Sequence, residues 1–374
     1  MNRLASLSAR WWWAVLGTWA VLVVGLHFGA PPFSKVAVYD FSQFLGHSSH
    51  SVQGGTLLAN GWKDGSFDRS LAIVVSRDHV RLGADDEAYT RDLVAWLQSP
   101  DKPRQIGEVT THLNDPRLAD TLASRDGQAW IVRVTVDAQP SSPQANKADT
   151  QLLRHVQSTR RPPGLKADVT GPVAVLADQT KAIDDSVART HLLALTLIVV
   201  ILAFVYRSPV AMLVPLATIG VAFSVSMALI SLLAKAGMDV SAMYQQFSVV
   251  VIFGIGTDYC LLLVSRYAEE LSQSDDEDSK ALRTRTLRGT VAVLATVLAS
   301  SAATVAVGFS AQGLAHFGLY RTLGPAMAIA VVITGLAALT LAPSLMRALG
   351  RNLFWPRHVT SAHMPARAQL KEAA

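Results

Sequence analysis

The stretch Phe247–Arg266, FSVVVIFGIGTDYCLLLVSR, limits what this chain can fold into more than any other. It is an apolar run of helix length with one carboxylic acid, Asp258, well inside it. At about 1.5 Å per residue, Phe247–Ser265 covers roughly 28 Å, close to the hydrocarbon thickness of a bilayer. Asp258 then lies about 16 Å from one end and about 11 Å from the other. A charge at that depth costs several kcal/mol, so such residues face a protein interior and serve ion or proton pathways. The competing reading is a soluble core helix with a locally satisfied Asp. The neighbouring runs, which have the same membrane character, argue against it.

Half of the 374 residues are hydrophobic and only 16% are charged, with a mean hydropathy of +0.30. That is too apolar for an ordinary soluble protein. The apolar residues pool in one run near the N-terminus and in five more after His191, with a polar stretch between. The formal charge of +5 is small for this length and gives no nucleic-acid signal; arginines flanking membrane spans account for it. No GxxxxGK[ST] loop is present to cradle a nucleotide, so nothing points to ATP hydrolysis or to an enzyme. His47, His50, His79 and His112 do not fall at metal-ligand spacing and read as surface histidines, so no metal is expected. Cys260 stands alone inside an apolar run and reads as a small buried hydrophobe beside Tyr259.

In chain order, Arg3 and Arg10 precede Trp11-Trp12-Trp13 and an apolar run to about Gly29. Basic flank, aromatic belt and apolar core make residues 1–30 a cytoplasmic stub and first span, with a cleavable signal peptide as the alternative. Residues 31–187 read as a folded polar domain. Ser70–Ser76 and Ala129–Val136 are β-branched runs of strand length, and 167–170 is a short closing strand before Gly171-Pro172. Residues 85–97 and 146–160 have helical spacing, the first with Asp85, Asp86 and Glu87 in its opening turn. The alternation predicts a small α+β sandwich of ferredoxin-like type, with residues 51–62 a helix leading to it. Asp178, Asp184 and Asp185 read as the polar face of a helix entering the membrane.

Five further spans are expected at about 188–206, 210–234, 247–265, 290–311 and 322–345, with Pro215 expected to kink the third span near its start and 347–374 a tail. Between the fourth and fifth, Asp275-Asp276-Glu277-Asp278 and nearby arginines read as a solvated loop with an amphipathic helix. With Met1 in the cytoplasm, Arg3, Arg10, Arg207, Arg266, Arg283, Arg285, Arg288, Arg347 and Arg351 fall inside, against only Lys235 and Arg321 in the short outer connections. Both termini are then cytoplasmic, the protein is a multi-pass protein of the cytoplasmic membrane, and 31–187 is extracytoplasmic.

Residues three, four and seven apart share a helix face, so Gly254, Asp258 and Ser265 align, with Val251 on the same stripe. Gly254 and Gly256 allow another helix to come close. On the fifth span Thr296, Ser300 and Thr304 line up at i, i+4, i+8, with Gly308 one turn on. This hydroxyl stripe is expected to face the Asp258 stripe and, with bound water, to complete a proton path. Equally weighted is the alternative that the hydroxyls bond to their own helix carbonyls. A carboxylic acid removed from water favours its neutral form and ionises when water or a cation arrives. Coupled to helix movement, that switch lets a proton gradient drive transport, and Tyr259 adds a donor for the carboxylate.

The run GIGTDYCLLLVSRYAEEL resembles the Asp-Tyr signature in the fourth span of the MMPL (mycobacterial membrane protein large) family, within the RND superfamily of transporters. TGPVAVLADQT, FVYRSPVAMLVPLATIG and YRTLGPAMAIAVVITGLAALTLAPSLMRALGRNLFWP agree with it. The resemblance implies a proton-driven exporter of lipids or other hydrophobic molecules, with 31–187 as its porter domain. It also implies Asp258 and Tyr259 as the proton-relay pair, with the proton motive force in place of any cofactor. Family members generally carry two such halves, whose Asp-Tyr pairs meet at the centre, whereas this chain holds one. Either two copies associate, the favoured reading, or a second polypeptide supplies the other half, or the chain is a truncated product. An accessory factor for protein secretion and a lipid-sensing scaffold of the same fold are the rival functions.

Overall fold

The computed structural model describes residues 11–39, 44–46, 49–61, 68–272 and 280–355. Arg3, Arg10, His47 and the acidic run 275–278 lie outside them. The chain divides into two compact units, residues 39–189 and residues 1–38 with 190–374. In order, the elements are α1 (Trp12–Gly29), α2 (His50–Gly61), β1 (Ser70–Ser76), α3 (Ala84–Gln98), β2 (Ile106–Thr110), β3 (Ala129–Val136), α4 (Pro143–Ser158) and β4 (Lys166–Thr170). There follow α5 (Pro172–Tyr206), α6 (Pro209–Lys235), α7 (Met243–Ser272), α8 (Lys280–Ala311) and α9 (Gly318–Leu349). Among the described residues, α1 and α5 to α9 supply six helices long and apolar enough to cross a membrane.

In the first unit the strand order is β2-β3-β1-β4, every neighbouring pair antiparallel. This is the split βαβ arrangement that the alternation of strands and helices predicts. Alternation also sets the core: Leu71, Ile73 and Val75 of β1 and Val132, Val134 and Val136 of β3 point to one face. Leu93, Val94 and Leu97 of α3 and Leu152 and Val156 of α4 cover it. Both helices start on side-chain acceptors. Ser142 Oγ accepts from the Ala145 amide, with Pro143 at the first helical position. Asp86 accepts from the Gly83 amide at 3.0 Å and from Arg77 Nε and Nη2, each at 2.8 Å. That guanidinium, hydrogen-bonded to the carboxylate, holds Asp86 below the usual Asp range. Between β4 and α5, Gly171 has φ +105°, and a Cβ there would sit 3.0 Å from the Ala72 amide and the Ser70 carbonyl, so only glycine suits the turn.

Asp149 of α4 is a buried acid, 7% exposed. Burial first, and the charge of Asp178 second, push its carboxyl up to about 6.

In the other unit α9 is the central helix, packed against α6, α7, α8 and α1. Small residues make this possible: Ala326, Ala330, Ala337, Ala338 and Ala342 are fully buried. Trp19 of α1 donates its indole N–H to Thr340 Oγ1 of α9 at 3.1 Å. After α1, the Val38 amide and carbonyl pair with Val240 and Ala242 at 2.8 and 3.0 Å, pinning that segment to the loop before α7. Ser208 caps α6 through the Ala211 amide and donates to the Leu353 and Trp355 carbonyls. By contrast, the 190–206 part of α5 leaves Leu193, Leu197, Val200, Ile201 and Phe204 exposed.

Candidate functional site

The helical period divides α7 into a covered face and an open one. On the covered face are Gly256, Tyr259, Cys260, Leu263 and Tyr267, all buried. Gly256 is a close-contact position: a Cβ there would stand 2.6 Å from Ile219 Cγ1 of α6 and 3.4 Å from Thr334 Cγ2 of α9. On the open face are Gly254, Asp258, Leu262 and Ser265. Gly254 has nothing of this chain within 4 Å of a Cβ, so of the two glycines only Gly256 serves helix packing within the chain.

Asp258 is exposed on that open face and makes no hydrogen bond or ion pair among the described residues. In the spans 210–234, 247–265, 290–311 and 322–345 it is the single charged residue. Its neighbour Tyr259 turns the other way. With 5% of its surface exposed, it packs among the side chains of α7, α8 and α9 and donates its hydroxyl to Ser301 Oγ of α8 at 3.2 Å.

The expected hydroxyl stripe on α8 lies on an exposed surface: Thr296, Ser300 and Thr304 are all exposed. Ser300 Oγ donates to the Val297 carbonyl at 2.9 Å and Thr304 Oγ1 to the Ser300 carbonyl at 2.9 Å. Two of the three hydroxyls are thus satisfied by their own helix, the alternative weighed for them. No hydrogen bond links the stripe to Asp258, and the residue that joins α8 to the Asp-Tyr pair is Ser301. Spacing by four picks out 296, 300 and 304 and passes over Ser301. Its signal is the tandem Ser300-Ser301: both are exposed, but Ser300 bonds to its own helix while Ser301 accepts from Tyr259 of α7.

Beyond Asp258, the C-terminal end of α7 carries a polar clasp. Arg266 donates to Glu269 at 2.9 Å and to Glu270 at 3.1 Å, and Glu270 accepts from the buried Thr290 hydroxyl of α8 at 2.8 Å. This ties α7 to α8 a few turns below Tyr259 and Ser301, so the two helices are held at two levels.

Cys260 is free and fully buried. Among the described residues no group of three or more His, Cys, Asp or Glu is placed to hold a metal. His112 of the sheet unit instead lies against Trp130, ring centroids 5.2 Å apart, and burial lowers its pKa.

The sequence matches the MMPL family over residues 43–369. It is 30% identical over 350 residues to the sulfolipid-1 exporter MmpL8 of Mycobacterium tuberculosis (strain ATCC 25618 / H37Rv), covering 94% of this chain and 31% of that protein. It is 30% identical over 349 residues to the "Probable transport protein MmpL10" of Mycobacterium leprae (strain TN), covering 92% and 34%. The "Probable transport protein MmpL12" of Mycobacterium tuberculosis (strain ATCC 25618 / H37Rv) is 29% identical over 354 residues, covering 94% and 30%. The chain spans about a third of the length of these curated relatives.

Proposed function

Because the chain belongs to the MMPL family, we propose that it is a proton-driven secondary transporter that exports lipids or other hydrophobic molecules across the cytoplasmic membrane. The observation that carries this reading is the uncovered Asp258 beside the buried Tyr259, whose hydroxyl is held by Ser301 of α8. Asp258 takes up H⁺ from one side when the bundle is in one arrangement and gives it up to the other side in the next. Tyr259, fixed by Ser301, keeps the relay level with the α7–α8 seam. Thr296, Ser300 and Thr304 line a hydrated surface on α8 in this scheme.

The uncovered face requires an occupant. An ionisable carboxyl that looks straight into lipid drives nothing, so a second half must cover Gly254, Asp258 and Ser265. A second copy of this chain, bringing its own Asp258 and Tyr259, fits that requirement, and a further polypeptide half is the other source. Residues 31–187 act as an extracytoplasmic porter domain that receives the cargo, both termini being cytoplasmic. That one relative is named a sulfolipid-1 exporter supports a lipid cargo.

The test is export of a labelled lipid by cells or proteoliposomes bearing Asp258→Asn at wild-type expression. Loss of export together with loss of proton uptake is expected, and retained export would refute the relay. A strain lacking the protein should accumulate lipid inside; accumulation of unprocessed secreted protein would favour an accessory role in secretion.

A further inference from the structure

The sheet unit carries a groove of about 750 Å³ between α4 and the loop joining α3 to β2. Lys102 and Arg104 come from the loop and Lys147 and Arg154 from one stripe of α4, against a single acid, Asp101. None of the four cations forms an ion pair among the described residues. Elsewhere in the same unit Arg77, Arg91, Arg117 and Lys166 hold a carboxylate partner while Arg81, Arg125 and Arg133 hold none among the described residues, so what sets the groove apart is four cations converging on one cleft against one acid. Four cations drawn from two elements to one cleft concentrate positive potential that favours an entering anion, Lys102 donating meanwhile to the Gly107 carbonyl at 3.4 Å.

A rigid wall adjoins them. Trp96 of α3 and His155 of α4 stack with ring centroids 3.5 Å apart and planes 4° from parallel. The flat apolar surface of such a stack suits the C–H faces of a sugar or glycerol unit. The volume exceeds what a bare inorganic anion fills, and the walls offer charge on one side and aromatic surface on the other.

We infer that this groove binds a phosphate- or sulfate-ester group carried on a polar head, with Lys102, Arg104, Lys147 and Arg154 holding the ester beside the Trp96–His155 wall. The ester arrives either on a lipid headgroup or on a soluble sugar. As a cargo site for lipid the inference rests on the export reading above; as an ester-binding site it does not.

The experiment uses the full chain in neutral detergent at low salt, with three probes: dihexanoyl phosphatidylglycerol, dihexanoyl phosphatidylcholine and glucose 6-phosphate. The phosphatidylglycerol should bind about tenfold more tightly than the phosphatidylcholine, a preference that fades as salt is raised. Lys147→Glu with Arg154→Glu should abolish that preference, and Lys147→Gln with Arg154→Gln should reduce it. Arg125→Glu, an exposed cation outside the groove, should leave it intact. Glucose 6-phosphate binding that needs the same four residues assigns a soluble ester, and its failure beside tight phosphatidylglycerol binding assigns a lipid one. Equal binding of the two lipids, or a preference that survives both double variants while they elute as the wild type does, would overturn the inference. Binding measured on Asp258→Asn keeps the two readings apart. If ester binding fails but export still depends on Asp258, the groove alone falls; if export ignores Asp258 while ester binding follows the four cations, the relay alone falls.

Discussion

Replacing Asp149 with Asn should stabilise the sheet unit at neutral pH and leave it unchanged in acid. The carboxyl sits buried in the apolar core side of α4 and is raised from 3.8 to about 6, chiefly by burial and then by Asp178. A group whose folded pKa lies above its unfolded value binds its proton more tightly in the native state. Its folded form is therefore favoured at low pH, and stability is lost as pH rises from about 4 to about 6. The gap is about 2 on the pH scale, which at about 1.4 kcal/mol each amounts to roughly 3 kcal/mol; screening of the exposed Asp178 charge brings the expectation to roughly 2–3 kcal/mol. The assay is hydrogen exchange of the β1 and β3 amides in the full chain at pH 4 and pH 7.5, corrected for intrinsic rates. Asp149→Asn should raise their protection roughly 30- to 150-fold at pH 7.5 and little at pH 4. The wild-type profile alone does not decide, because His112 and His155, both lowered by burial, lose stability in the opposite direction as pH falls. Their contribution cancels in the difference between variant and wild type. Equal differences at the two pH values would refute the reasoning.

Gly256→Ala puts a methyl group 2.6 Å from Ile219 and should cost about 1–3 kcal/mol, read as a lower melting temperature in detergent, whereas Gly254→Ala, which meets nothing of this chain, should leave the melting temperature of the monomeric species unchanged. Thr290→Val removes the hydroxyl that Glu270 accepts and should cost about 1 kcal/mol, visible as faster exchange at the facing ends of α7 and α8. Trp19→Phe removes the Trp19–Thr340 hydrogen bond between α1 and α9, at 3.1 Å, and should lower the melting temperature by an amount equivalent to about 1 kcal/mol. Asp86, held low by Arg77, acts opposite to Asp149: its contribution is present above the ordinary Asp range and lost as pH falls through it, so Asp86→Asn should flatten the acid limb of the exchange profile.

Strands β1 and β3 were legible because Ile73, Val74 and Val75 in one and Ile131, Val132, Val134, Thr135 and Val136 in the other concentrate β-branched residues in runs of strand length. Strand β2 was not: it has five residues, only Ile106 and Val109 carry apolar bulk, and the register shifts between them. The second span reads as beginning near residue 188, yet α5 starts at Pro172. Its early turns carry Asp178, Asp184 and Asp185, and hydropathy reports where a helix enters an apolar medium, not where it begins. In the site, periodicity groups Gly254, Asp258 and Ser265 on one face, and the structure keeps them together. It cannot say which face the rest of the chain covers. That depends on the small residues of α9 and the fit of Gly256 to Ile219, both properties of packing between segments far apart in sequence. Asp149 escaped notice for the same reason, since an Asp on a polar helix looks solvated until the fold buries it.

The cost of leaving Asp258 uncovered sets the requirement on the assembly. At the middle of a helix in hydrocarbon an Asp costs about 2.5–3.5 kcal/mol on insertion scales, and every copy of a lone half would bear it. Among the described residues the carboxyl has no partner: Tyr259 donates to Ser301 instead, and the Ser300 and Thr304 hydroxyls are taken up by their own helix. Gly254 lies one turn away with open space where a Cβ would be, so the same stripe that bears the charge can admit a helix at close range. A partner there would relieve the cost of the carboxyl and cover the small-residue surface at once. A face that only met lipid would gain nothing from Gly254 and would lose by Asp258, and this pairing of a close-approach site with an unsatisfied acid is what the proposed docked half would account for.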